Sequence, residues 1–202
     1  MSLVFHHAPG TRSGSVRWLL EELEAPYELE IVDLGAEGGA PESYRAIQPN
    51  KKVPAIVHDG VAVHERAAIF IYLCDAFPDR GLAPPIGDPR RGPHLSWLVY
   101  NDAVIDPVLG AKFMGWTYDK RGVSFGAFED MQRNLETTLA RTPYLVGDSF
   151  TAADILVGGA INVAVNVLKT LPGSPVLEAY LRRTVARPAF ARALAKDRAL
   201  QS

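Results

Sequence analysis

Cysteine is almost absent: Cys74 stands alone among 202 residues. A single thiol excludes an intrachain disulfide and any thiolate metal cluster, and it fits a reducing compartment. An excess of one charge sign is also lacking. Lys and Arg number 21 against 23 Asp and Glu, a formal net charge of −2, so nothing electrostatic favours nucleic acid or an anionic membrane as partner. No apolar run approaches the roughly 20 residues of a membrane span. The basic-then-apolar order of a signal peptide is missing, because His6 and His7 interrupt the first segment. These absences predict a cytoplasmic protein. His58, His64 and His94 show no metal-ligand spacing, so no metal is expected. What is present, 48% hydrophobic and 22% charged residues, is ordinary for a globular chain long enough to bury a core.

Residues 1–80 alternate strand-like and helix-like segments. A β-type run over 3–6 ends at Pro9-Gly10. From Ser13, the apolar residues Val16, Leu19, Leu20 and Leu23 recur at helical spacing with Arg17, Glu21 and Glu22 opposite, and Pro26 stops the helix. A second strand is predicted over 27–34, a Gly/Ala loop over 35–40 and a weak helical turn over 42–47. Two short strands, 55–58 and 61–63, flank Asp59-Gly60, a dipeptide suited to a two-residue hairpin turn. A third helix over 65–77 stops at Pro78. The order βαβ, α, ββ, α is that of a thioredoxin-like α/β domain.

Residues 81–93 hold Pro84, Pro85, Gly87, Pro89, Gly92 and Pro93 and read as a linker. Residues 94–202 carry only helical periodicity, predicting an all-α helical bundle. Its helices are expected at 94–114, bent at Pro107, then 125–139, 152–168, 177–186 and 189–200. Thr151 and Asp154 form a capping-box variant ahead of a helix apolar nearly all round, which places that helix in the middle of the bundle.

The chemistry begins at Val53-Pro54. Proline has no N–H and opens an apolar run here, which indicates a turn, an edge or a cis bond. A cis bond would turn the N–H and C=O of Val53 outward, toward an extended peptide. Glu65 opens a helix about ten residues later. The pair reads as a peptide-holding site made of backbone and a helix N-terminus.

Four local segments bear a resemblance to one family. They are Arg17-Trp18-Leu19-Leu20-Glu21-Glu22-Leu23 with Pro26-Tyr27, Gln48-Pro49-Asn50-Lys51-Lys52-Val53-Pro54, Glu65-Arg66-Ala67-Ala68-Ile69, and Phe150-Thr151-Ala152-Ala153-Asp154. In this order the whole chain resembles the cytosolic glutathione S-transferases of bacterial and fungal type. The resemblance implies a glutathione site on the first domain, an acceptor pocket between the domains, a two-fold homodimer and a role in detoxification. Glutathione enters as co-substrate, and the other partner is a small electrophilic acceptor. By motif, Val53 would pair its backbone with the cysteinyl part of glutathione beside Pro54. Glu65 would receive the γ-glutamyl amine and Lys52 the glycyl carboxylate. Two residues depart from the pattern: Arg66 replaces a usual Ser, and Lys51 a usual Gly. The Arg66 N–H, at a helix start, still suits the γ-glutamyl carboxylate, while Lys51 reads as a surface lysine.

Conjugation needs a thiolate, and a thiol of pKa about 8.5 is only a few per cent ionised at neutral pH. The family activates sulfur at the turn between the first strand and first helix, here Gly10-Thr11-Arg12-Ser13-Gly14-Ser15. No Tyr or Cys lies there, so a hydroxyl is the candidate. Thr11 has the better position, and Ser13 serves either as the catalytic hydroxyl or as the helix N-cap. Arg12 either stabilises the thiolate or contacts solvent or acceptor. His7 either lines the acceptor pocket or is an ordinary strand-end histidine. Tyr100, Val104, Phe113 and Trp116 complete the pocket candidates, with a core role as their alternative. Cys74 reads as a small buried hydrophobe, which argues against disulfide exchange through an enzyme thiol. The leading expectation is glutathione conjugation. Peroxidase or isomerase activity on the same site, or a non-catalytic binding module, are the alternatives.

Overall fold

The computed structural model describes residues 2–35, 37 and 39–201. Ala36 and Gly38 of the expected 35–40 loop lie outside the described residues. In chain order the elements are β1 (Leu3–His7), α1 (Gly14–Leu23), β2 (Glu28–Ile31), a 3-10 turn (Glu42–Ala46), β3 (Ala55–His58), β4 (Val61–His64) and α2 (Arg66–Ala76). Then follow α3 (Arg91–Tyr100), α4 (Asp106–Met114), α5 (Phe128–Leu139), α6 (Ala152–Asn162), α7 (Pro175–Val185) and α8 (Pro188–Ala199). They group into two compact units, Met1–Arg80 with Pro188–Ser202, and Gly81–Arg187.

The first unit is a four-stranded sheet of order β2-β1-β3-β4. β1 and β2 are parallel, with α1 as the crossover, and the other pairs are antiparallel. The β3–β4 turn is the expected Asp59-Gly60, with φ of 47° and 85°. Both values are left-handed, as a two-residue hairpin whose twist matches the strands requires. The unit's core gathers Phe5, Ile56, Val16, Leu19, Leu20, Ile69 and Phe70, each at most 1% exposed.

One face of α1 departs from the sequence expectation. Its charged stripe does not meet solvent: Arg17 is 1% and Glu21 7% exposed. The last helix covers it. Arg192 donates to the Glu21 carboxylate (3.2 Å) and carbonyl (3.0 Å), Lys196 donates to the same carboxylate, and the rings of Trp18 and Phe190 meet edge-on at 4.8 Å. Complementary charges and one aromatic pair thus place α8 with the sheet unit, although helical periodicity alone assigns it to the bundle.

In the second unit, the expected bend at Pro107 is a π-helical segment, Asn101–Ile105, joining α3 to α4. Proline cannot donate to the carbonyl four residues back. The ladder slips ahead of it, and the Asp106 N–H bonds the Asn101 carbonyl five residues earlier. The helix expected over 152–168 likewise ends as a π segment, Val163–Val167. At the start of α6, the Asp154 carboxylate accepts from the backbone N–H of Thr151 (2.9 Å) and Leu145 (2.9 Å), and from the hydroxyls of Thr151 and Tyr180 (both 3.1 Å). Burial pushes its pKa up, and those donors only partly pull it back. Among the described residues, no helix is long and apolar enough to cross a membrane.

Candidate functional site

Sheet register brings three sequence-distant segments to one end of the first unit. Ala55, the first residue of β3, pairs with His6 on one side and His64 on the other. The turn after β1 (8–13), the Val53-Pro54 step before β3 and Glu65 after β4 therefore converge at the same edge. This convergence follows from antiparallel pairing alone, because β3 begins where β1 and β4 end.

At the centre, the Val53–Pro54 bond is cis. The Val53 side chain packs against the cluster of Val32, Ala40, Tyr44 and Ala55. No hydrogen bond among the described residues engages its N–H or C=O. The preceding loop is held from inside. Gln48, 3% exposed, accepts the Lys52 N–H on its side-chain oxygen (3.0 Å), and the Tyr44 hydroxyl donates to the Lys52 carbonyl (3.2 Å). Burial of that phenol pushes its pKa to about 12, so it stays a donor. With its backbone fixed at both ends, Lys52 leaves its side chain exposed. Lys51 has φ of 56°, and its ammonium lies 3.6 Å from Glu42.

Glu65 precedes α2 with φ of 68° and ψ of 124°, a conformation few non-glycine residues adopt. Its carboxylate is largely exposed, with one oxygen 3.5 Å from His64 Nδ1. Its carbonyl accepts the Ile69 N–H (2.9 Å), starting the helix at Arg66. The site thus presents a carboxylate beside the positive end of a helix dipole, with an ammonium across the cis step.

The β1–α1 turn distinguishes the two candidate hydroxyls. Ser13 is the N-cap of α1, yet its side chain caps nothing. Instead its Oγ lies 2.7 Å from His7 Nδ1, 2.7 Å from Thr11 Oγ1, 3.1 Å from the Ala8 carbonyl and 3.3 Å from the Ala8 N–H. Ser13 is 0% exposed, so its hydroxyl has no surface to offer a ligand, unlike that of Thr11. Thr11 is partly exposed, and its hydroxyl lies 2.7 Å from the Ala8 carbonyl. Arg12 is exposed in the same turn. His7 is also 0% exposed and has no surface to offer an acceptor, which corrects its assignment to the acceptor pocket. Its ring faces Ser13 on one side and Asp197 of α8 on the other, Nε2 to Oδ1 being 3.1 Å. That contact is at ion-pair distance but outside hydrogen-bond geometry.

The remaining candidates belong to the second unit. Tyr100 closes α3 and Val104 sits in the π segment, both half-buried, while Phe113 in α4 and Trp116 just after it are 58% and 63% exposed. Cys74 is 4% exposed and forms no disulfide. Among the described residues, no group of three or more His, Cys, Asp or Glu side chains is placed to hold a metal.

A family profile described as glutathione S-transferase, N-terminal domain, matches residues 5–81, which contain all three converging segments. Over 95% of the chain and 94% of the relative, the sequence is 28% identical to the disulfide-bond oxidoreductase YfcG of Escherichia coli K12. It is 27% identical to glutathione S-transferase PARB of Nicotiana tabacum, over 97% of this chain and 99% of that one. The solved structure of a sphingomonad glutathione S-transferase complexed with glutathione superposes with a TM-score of 0.79 at 28% identity, covering 96% of this chain and 98% of that one.

Residues 5–81 carry a glutathione S-transferase N-terminal domain, and nearly the whole chain is similar to glutathione S-transferases.

Within this glutathione S-transferase N-terminal domain, the Lys-for-Gly departure acquires a physical reading: Lys51 occupies a left-handed φ that glycine takes without strain. Sequence reasoning missed Asp197 and the burial of Arg17 and His7. The available signal was charge complementarity, Arg17 and Glu21 four apart on α1 against Arg192, Lys196 and Asp197 on α8.

Proposed function

We propose that this protein is a glutathione transferase that binds glutathione across the converging ends of β1, β3 and β4. Its thiol is then activated for attack on a small hydrophobic electrophile. The observation carrying this reading is the unspent backbone of Val53 between two exposed side chains of opposite charge, Lys52 and Glu65. An extended tripeptide with a carboxylate at one end and an amine at the other fits that order of groups. The cysteinyl residue pairs with Val53, the glycyl carboxylate faces Lys52, and the γ-glutamyl group faces Glu65 and the Arg66 N–H.

Activation falls to Thr11, the accessible hydroxyl of the β1–α1 turn. A hydrogen bond donated from its hydroxyl to sulfur favours the thiolate, and the N-terminus of α1 adds positive potential. The thiol proton leaves to solvent, and the sulfur lone pair attacks the acceptor carbon, expelling halide from an aryl halide or pushing the C=N pair of an isothiocyanate onto nitrogen, which takes a proton from solvent. We place the enzyme in the cytoplasm as a homodimer serving detoxification, supported by its having a single cysteine and by its likeness to glutathione transferases.

A second reading is reduction of a disulfide or peroxide by glutathione on the same site, favoured by the likeness to an oxidoreductase. With Cys74 buried, a second glutathione rather than an enzyme thiol would have to resolve the mixed disulfide. Turnover of aryl halides, isothiocyanates, hydroperoxides and glutathione-mixed disulfides, compared between the wild type and Thr11→Ala, separates the readings. Conjugation lost at least tenfold in Thr11→Ala supports the first reading. Turnover of only disulfides and peroxides overturns it.

A further inference from the structure

A cavity of about 820 Å³ opens between α1, the turn that follows it, β2 and α8, all within the first unit. It shares no residue with the proposed glutathione site. Its size suits a small organic molecule, and its walls are of two kinds. Leu29 and Leu200, 37% and 42% exposed, leave apolar surface open beside the ring of Tyr27. Because β2 is the edge strand, no further strand covers this side of the sheet.

The charged groups of the cavity do not cancel. The Glu21 carboxylate accepts from Arg192 Nε at 3.2 Å and from Lys196, and its carbonyl accepts from Arg192 Nη2 at 3.0 Å. Burial pushes the Glu21 pKa up, but hydrogen bonds from Lys196 and Arg192 and their charges outweigh it, so the carboxylate stays ionised. One carboxylate thus faces two cations. Glu24, the other acid on the wall, is paired with Arg80 at 2.6 Å. The donors are not used up either. Arg192 Nη1 makes no hydrogen bond among the described residues, and Lys196 gives one of its three N–H groups to Glu21. Both side chains stand at the mouth, 48% and 51% exposed.

Arg17 forms the inner wall. It is 1% exposed, and its guanidinium donates no hydrogen bond among the described residues. Asp197 Oδ1 lies 3.0 Å from its Nη1 and balances its charge. A guanidinium buried with its donors unspent is costly. An anion in the cavity offsets that cost through its field without touching Arg17, since a buried charge is screened little.

We propose that this cavity is a second binding site, for a small monoanion with an apolar body such as a long-chain carboxylate. The head group lies between Arg192 Nη1 and the Lys196 ammonium, and the apolar body covers Tyr27, Leu29 and Leu200. A monoanion matches the single positive charge that remains when Glu21 is set against Arg192 and Lys196. The site goes beyond the glutathione reading and does not depend on it.

The test titrates the isotope-labelled protein with dodecanoate, below its micellar concentration, and follows backbone amides by nuclear magnetic resonance. The amides of Ala25, Tyr27 and Leu29 shift along one saturating curve, with or without glutathione present. Dodecyltrimethylammonium has the same tail and the opposite charge, and it binds about tenfold more weakly or not at all. The chain's net charge of −2 favours that cation wherever no site exists, so the preference reports the cavity. The Arg192→Gln/Lys196→Gln pair loses about tenfold in dodecanoate affinity and loses the preference for the anion. Should the pair fail to fold, Leu29→Glu sets a carboxylate on the apolar wall without touching an ion pair, and weakens dodecanoate about tenfold. Saturating shifts at Thr11, Val53 and Arg66 or in the second unit, or no shifts at all, overturn the proposal. So does equal binding of the two amphiphiles, or unchanged affinity in Leu29→Glu.

Discussion

Removing the Asp154 carboxylate should be the most destabilising single change in the second unit. Its four donors come from Leu145, Thr151 and Tyr180, residues 4%, 5% and 0% exposed, and Asp154 itself is 0% exposed. In Asp154→Ala the two hydroxyls can turn elsewhere, whereas the N–H groups of Leu145 and Thr151 are fixed by the backbone. Each stranded buried donor costs about 1–3 kcal/mol, so the loss should be about 3–5 kcal/mol, a large share of the roughly 5–15 kcal/mol that holds an ordinary domain folded. Asp154→Asn keeps the shape but places an NH₂ against donors on one side, and should cost about 2–3 kcal/mol. Tyr180→Phe removes one donor and leaves the carboxylate three, for about 1 kcal/mol. Equilibrium denaturation of the purified variants checks the order Ala, Asn, Phe. Asp154→Asn within about 0.5 kcal/mol of the wild type would show that the carboxylate is not what organises this helix start.

Other perturbations test the glutathione-binding unit. Glu65→Gln and Lys52→Ala should each weaken glutathione binding about tenfold by calorimetry, because each removes one charge-assisted contact. Lys51→Gly should be neutral or stabilising by up to about 1 kcal/mol, since relief of the left-handed φ offsets the entropy that glycine adds to the unfolded chain. A loss above about 1 kcal/mol would mean that the Lys51–Glu42 pair matters more than backbone strain. Burial pushes the Asp197 pKa up, but contact with His7, the charges of His7 and Arg17 and the Gly10 N–H outweigh it, so the net value lies below the ordinary 3.8. A lowered carboxylate stabilises the fold above the unfolded value and loses that contribution as pH falls through the folded one. The Tm gap between wild type and Asp197→Asn should therefore be widest above 3.8 and close on further acidification. A gap independent of pH would contradict this.

How far the sequence reached depended on whether the signal was local. Asp59-Gly60 named its own turn, Pro107 its own helix irregularity and Val53-Pro54 its own backbone anomaly, because in each the cause lies within a few residues. The convergence of Thr11, Val53 and Glu65 was reached only by resemblance, since strand register is not written in any short segment. The buried line from Ser13 to Asp197 was invisible for a further reason. A serine before a helix reads as a cap, an arginine on a helix reads as surface, and only the arrival of α8 from the far end of the chain changes both. Solvent exposure, which separates Thr11 from Ser13 two residues away, is a tertiary property that spacing does not encode.

Glutathione titrated into the isotope-labelled protein, with backbone amides followed by nuclear magnetic resonance, examines the proposed site directly. If glutathione lies across the ends of β1, β3 and β4, the amides of Thr11, Val53 and Arg66 should shift together along one saturating curve. The Glu65→Gln curve should need about tenfold more ligand. Saturable shifts clustered elsewhere, or no shifts at millimolar glutathione, would contradict the proposed site.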